Sequence, residues 1–185
     1  MKQHLKASKY FNFNTMLSLS LVLLFNLISC RHVPVVEVEQ QHSDPLKENL
    51  INANRIIAQS EETQIDAYVA RHGWTMQRIV GGSRIMVTDG NRIPTLNYGD
   101  TIELRYSVET IGGDPIYSNL CDTVVVGRAK PNRGVDEALL SLAPHSSAIV
   151  IVPSEQGFGV VGDGDRITSR MILVYKITTN NITQQ

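Results

Sequence analysis

Five histidines, two cysteines and 18 acidic side chains are the groups through which this chain of 185 residues could move a proton, hold a metal or form a covalent intermediate. Their spacing supports none of these. His4, His32, His42, His72 and His145 are dispersed, and no His or Cys pair stands at metal-ligand spacing. Gly162-Asp163-Gly164-Asp165 lacks the ligand ladder and terminal Glu of a calcium loop and reads as a solvated turn. Gly157-Phe158-Gly159 offers no serine for a nucleophile elbow, and 127–134 does not end in the Lys-Ser or Lys-Thr of a phosphate loop. Cys121 has no His or Asp spaced to activate it and reads as a small buried side chain beside a strand. No metal and no cofactor is expected. What remains is apolar and aromatic: Tyr106, Phe158, Tyr175 and their neighbours, which by pattern alone are core.

The elements that would position those residues begin at Asp44-Pro45, an N-cap followed by a first helical residue. Leu46, Leu50, Ala53, Ile57, Ile65, Tyr68 and Val69 recur near helical spacing up to Gly73, so one or two helices fill 45–72, with Thr63 and Asp66 as a capping box that could restart the helix. From Trp74 the texture changes to short strands and turns. Residues 101–108 alternate, with Ile102, Leu104, Tyr106 and Val108 on one face, as in a half-buried antiparallel strand. Further strands are expected at 122–126, 148–152 and 171–177, between turn clusters at 89–91, 112–115 and 162–165. Val135, Ala138, Leu139 and Leu142 make one short amphipathic helix that stops at Pro144. The pattern is α+β: a curved antiparallel sheet wrapped on one short helix and preceded by an N-terminal helical segment.

The first 29 residues carry Lys2, Lys6 and Lys9, no acid, and an apolar run from 16 to 28 that Ser18, Ser20 and Asn26 make too polar for a membrane span. That run ends at Leu27-Ile28-Ser29-Cys30, which resembles the bacterial lipobox. The expected organisation is a signal peptide at 1–29, a lipidated Cys30 and tether at 30–44, a helical segment at 45–73, a sheet domain at 74–180 and a tail at 181–185. The resemblance places the protein in the bacterial cell envelope, lipid-anchored through Cys30 and facing the periplasm. Overall the chain has a formal charge of −1, and without the leader 14 basic side chains face 18 acidic ones. Such a body gives no electrostatic reason to bind nucleic acid.

Over 97–178 the order of short motifs resembles the FKBP-type peptidyl-prolyl isomerases. The pieces are Tyr98-Gly99-Asp100, Leu104-Arg105-Tyr106, Gly113-Asp114-Pro115-Ile116-Tyr117-Ser118 and Val126-Gly127, then Arg133-Gly134-Val135-Asp136. Val150-Ile151-Val152-Pro153-Ser154, Gly157-Phe158-Gly159, Ile167 and Leu173-Val174-Tyr175 complete the series. Upstream, 67–74 and 83–88 are similar to a Bacteroidetes lipoprotein subgroup of that family, of the gliding-motility-associated type.

The resemblance implies a reaction that needs no acid, base or metal. Rotation about an X-Pro bond faces a barrier of ~18 to 20 kcal/mol from amide resonance. An apolar pocket disfavours the planar, charge-separated amide, and one donor near the twisted carbonyl helps the transition state. Carried over residue by residue, the cleft would be walled by Tyr106, Ile116, Tyr117, Val135, Phe158, Ile167 and Tyr175, with Pro131 and Asn132 contributing substrate contacts at its rim. Tyr106 and Ile167 match the family, and Tyr175 replaces a phenylalanine. Ile116 stands in place of Phe, Tyr117 of Asp, Val135 of the Trp floor and Phe158 of Tyr. The implied partners are prolyl segments of envelope or secreted proteins. The alternative is a noncatalytic FKBP-like chaperone or interaction module that keeps the fold with a reduced cleft.

Overall fold

The computed structural model describes residues 45–90 and 93–181. The apolar run at 16–28, Cys30 and the tether to 44 lie outside them. Among the described residues no helix is long and apolar enough to cross a membrane, and no cluster of three or more His, Cys, Asp or Glu could hold a metal ion.

The chain opens with helix α1 (Pro45–His72), followed by strands β1 (Gln77–Arg78), β2 (Arg84–Asp89), β3 (Thr101–Thr110) and β4 (Pro115–Val125). Helix α2 (Arg133–Leu139) then leads to β5 (Ser147–Val152) and β6 (Leu173–Asn181). The six strands form one antiparallel sheet in the order β1-β2-β5-β6-β3-β4. The architecture is α+β, as the sequence pattern predicts.

Alternation along the central strands divides the side chains between two cores. On the α2 face, Ala148 and Val150 of β5 and Tyr175 and Ile177 of β6 join Leu104, Tyr106 and Val108 of β3 around Val135, Ala138 and Leu139 of α2. On the opposite face, Ile151 and Val174 pack with Ile65 and Tyr68 of α1 and with Ile172. Helix α2 sits close to the sheet because position 134 is glycine; a Cβ there would come within 2.5 Å of Val152 Cγ1.

Several details differ from the sequence expectation. Helix α1 is one unbroken element, and the Thr63–Asp66 restart does not occur: Thr63 donates its hydroxyl proton back to the Gln59 carbonyl, while Asp66 pairs with Arg84 at 3.0 Å. The helix does stop at Gly73, whose φ of 64° permits N–H bonds from Gly73 to Ala70 O and from Trp74 to Val69 O. Only the second half of the apolar stripe is covered. Glu61, Ile65 and Tyr68 are buried, whereas Leu46 and Leu50 are exposed. Strand β4 is twice the expected length, beginning at Pro115 rather than 122; a bulge between the Tyr106–Leu120 and Val108–Tyr117 pairs, with Asn119 at φ 57°, interrupts the alternation of its first half. Cys121 is exposed rather than buried, since it lies opposite Arg105 on the outer side of the edge pair β3–β4.

Candidate functional site: a cleft on the α2 face

The seven wall residues, spread over about seventy positions of sequence, meet in one cluster on the α2 face: five are buried, and Tyr117 and Phe158 pack against it half-buried. Register explains the centre. Tyr175 lies opposite Val108 on one side and Val150 on the other. Tyr106 is two residues from Val108, hence diagonal to Tyr175, and the two rings stand 6.0 Å apart with planes tilted by 40°. Around the β4 bulge, consecutive Ile116 and Tyr117 both turn toward this cluster. Val135 reaches it from the first turn of α2, and Ile167 and Phe158 come from the long β5–β6 connection.

Every tyrosine in the cluster has a partner for its hydroxyl. Tyr106 donates to Asp122 Oδ2 at 2.8 Å, and Tyr117 donates to Asp163 Oδ2 at 2.6 Å with Asp165 Oδ2 at 3.1 Å. Tyr175 accepts from Asn132 Nδ2 at 2.7 Å. Burial, then the Asp122 carboxylate, hold Tyr106 well above the ordinary phenol range, and burial does the same to Tyr175. The hydrogen bond to Asp163, and then burial, push Tyr117 up to about 12. Burial opposes ionisation of Asp163, but the Tyr117 hydroxyl and the N–H groups of Asp165 and Ile167 outweigh it, so its pKa falls below the usual carboxylate value. All three phenols are neutral at pH 7. The surface can bury and orient an apolar group, and its carboxylates are engaged by the tyrosine hydroxyls.

Pro131 is half-buried and directly precedes Asn132. Asn132 is buried and caps α2, its Oδ1 accepting from Val135 N at 3.0 Å while its amide holds Tyr175. The loop carrying both is tied by Asp136, whose carboxylate accepts from Gly127 N and Ala129 N at 2.8 and 2.7 Å. Sequence reasoning missed Asp122, Asp163, Asp165 and Arg166. The alternation of β4 places Asp122, opposite Leu104, on the Tyr106 side, a pairing between strands that the sequence pattern of one strand does not carry. The Gly162–Asp165 turn is not merely solvated: Asp163 Oδ1 also accepts from Ile167 N at 2.9 Å and fixes the loop isoleucine. Gly162 permits that closeness, since at its φ of 75° a Cβ would lie 2.2 Å from Ile167 O. Arg166 closes the mouth, donating to Ile116 O at 3.0 Å and standing 5.4 Å over the Tyr117 ring.

No family model and no curated protein matches the chain. Among solved structures it is similar to a peptidyl-prolyl cis-trans isomerase from Pseudomonas syringae pv. tomato, with a TM-score of 0.57 and 20% identity over 70% of this chain and 96% of that one. The fold is FKBP-like. A second likeness, to the N-terminal domain of FKBP42 from Arabidopsis thaliana, has a TM-score of 0.53 at 14% identity and covers 58% of this chain and 91% of that one. At these identities the likeness is one of fold. Within the FKBP-like sheet the floor of the cleft is closed more tightly than an open pocket: Val135 is 0% exposed, Tyr175 1% and Ile167 4%. Phe158, Tyr117, Pro131 and Arg166 are the parts of it that reach solvent.

Proposed function

We propose that the protein is a lipid-anchored envelope isomerase whose FKBP-like domain takes prolyl segments of envelope or secreted proteins against the α2-face cleft and speeds their cis–trans rotation. The observation carrying this reading is the meeting of seven sequence-distant aromatic and aliphatic side chains on one face of a fold that is also that of a peptidyl-prolyl isomerase. Phe158 and Tyr117 offer the accessible apolar surface, with Pro131 at the edge. Withdrawing the X-Pro amide from water there weakens its planar resonance form, and no proton transfer is called for. The motif likeness of 67–74 and 83–88 to a Bacteroidetes lipoprotein subgroup, and the lipobox at Cys30, support the envelope setting. Stable anchoring needs more than one acyl chain, which lipoprotein processing of Cys30 provides.

One observation favours a second reading, a noncatalytic prolyl-binding module. The floor is filled, and the Ile167 N–H at the mouth is occupied by Asp163. A protease-coupled assay on several X-Pro peptides separates the two. The isomerase reading expects acceleration above background that Tyr106→Ala reduces and Cys121→Ala leaves alone. Binding without acceleration selects the module, and neither binding nor acceleration removes both.

A further inference from the structure

We propose that Glu61 of α1 is a positioning residue for the cleft, fixing through Ser154 where the Phe158 wall stands; this rests on the reading that the α2-face cleft engages prolyl segments. Glu61 is 6% exposed, and among the described ion pairs none involves it. Its carboxylate accepts instead from the backbone N–H of Ser154 at 2.8 Å and from the Ser154 hydroxyl at 2.5 Å, across 93 positions of sequence. A charge is costly to bury, and α1 does not need one to dock, because Ile65 and Tyr68 on the same stripe already pack on Ile151 and Val174. The carboxylate's geometry serves the residue it holds.

Ser154 begins the turn that carries Phe158. Its carbonyl accepts from Gly157 N at 3.1 Å and from Gly159 N at 2.8 Å, so Ser154 ties the main chain on both sides of Phe158, with Gly162 N on Phe158 O and Arg170 N on Gly159 O as further ties. Beside the Glu61–Ser154 contact a groove of about 340 Å³, partly open to solvent, runs between the turn and α1, bordered by Ile57, Glu61, Ser154, Gly159 and Val160. On the α1 side the turn is anchored by the two hydrogen bonds to Glu61, while on the other side Phe158 packs against the α2-face core. Helix α1, on the far face of the sheet, thereby reaches the cleft wall.

The test labels the full chain with fluorophenylalanine and assigns the Phe158 signal by its loss in Phe158→Leu. Glu61→Ala should displace or split that signal and raise Kd for an X-Pro peptide about fivefold or more. Glu61→Gln keeps an acceptor for the Ser154 N–H and places an amide against the hydroxyl oxygen, so it should restore both readouts. Ile65→Ala loosens α1 without touching Ser154 and should leave the signal in place. Should Glu61→Ala fail to fold, Ser154→Ala, which keeps the backbone bond, must show the same displacement in smaller degree. A folded Glu61→Ala, or in its stead Ser154→Ala, with the wild-type Phe158 signal and affinity overturns the proposal. If the signal moves as expected but the unaltered protein ignores every prolyl peptide, the turn is anchored as described and the cleft reading is what falls.

Discussion

The two faces of strands β5 and β6 are built from the same backbone and serve different ends. On the α2 face large side chains interlock, and the three tyrosine hydroxyls are tied to polar partners: Tyr106 to Asp122, Tyr175 to Asn132, Tyr117 to Asp163. On the α1 face the apolar contact is small, and polar anchors surround it. Arg84, nearly buried, pairs with both Glu62 and Asp66 at 3.0 Å, and Glu61 holds Ser154. The first face is the main core and carries the proposed cleft. The second is a docked helix whose attachments can be altered one at a time.

The comparison predicts unequal costs of truncation. Tyr175→Ala removes a fully buried ring between Val108 and Val150 and should cost about 3–5 kcal/mol, read by denaturant unfolding. Ile65→Ala on the other face should cost about 2–4 kcal/mol while leaving peptide affinity unchanged, because no cleft residue rests on it. Equal losses of affinity from the two would break the division of labour. Tyr106→Phe keeps the ring, deletes the bond to Asp122, and should cost about 1–2 kcal/mol.

Replacing Tyr117 by the family's Asp is expected to harm the mouth, since it sets a third carboxylate beside Asp163 and Asp165 where a hydroxyl now donates to both. Loosening of 163–167 in hydrogen exchange would show it. The same turn sets a pH dependence. The Asp163 pKa is lower folded than unfolded, so its stabilisation is complete above the unfolded value of about 3.9 and fades as pH falls through the lower, folded one. Protection of Ile167 N–H should thus hold from neutral pH to about 5 and decline only below about 4. The smallest effect belongs to the uncovered half of α1: Leu50→Ser should change stability by less than about 0.5 kcal/mol.

Much of this fold is legible in the sequence, for reasons visible at particular residues. The alternation of 101–108 and the Gly73 stop are local signals that the structure keeps, and the short helix forms around Val135 and Ala138 but ends at Leu139, before the expected Leu142 and Pro144. Hidden features depend on what a residue meets far away. Nothing near Leu46 or Leu50 reveals that they stay exposed, and Cys121 faces outward because strand β4 begins well before 122 and extends the alternation of Val124 and Asp122 back to it. The candidate wall residues were found through the order of motifs, whereas the carboxylates that fix them were not, since an Asp in a turn carries the same local signature whether it faces water or a phenol.

The central claim is that prolyl segments meet the α2 face and not the groove beside α1. Its most direct test is a two-dimensional NMR titration of the protein with an X-Pro peptide and with the same peptide carrying alanine for proline. The account predicts proline-dependent shifts at Phe158, Tyr117, Ile167 and Ile116, with Ile57 and Ile65 unmoved. Shifts centred on Ile57, Glu61 and Ile65, or equal responses to the two peptides, would contradict it.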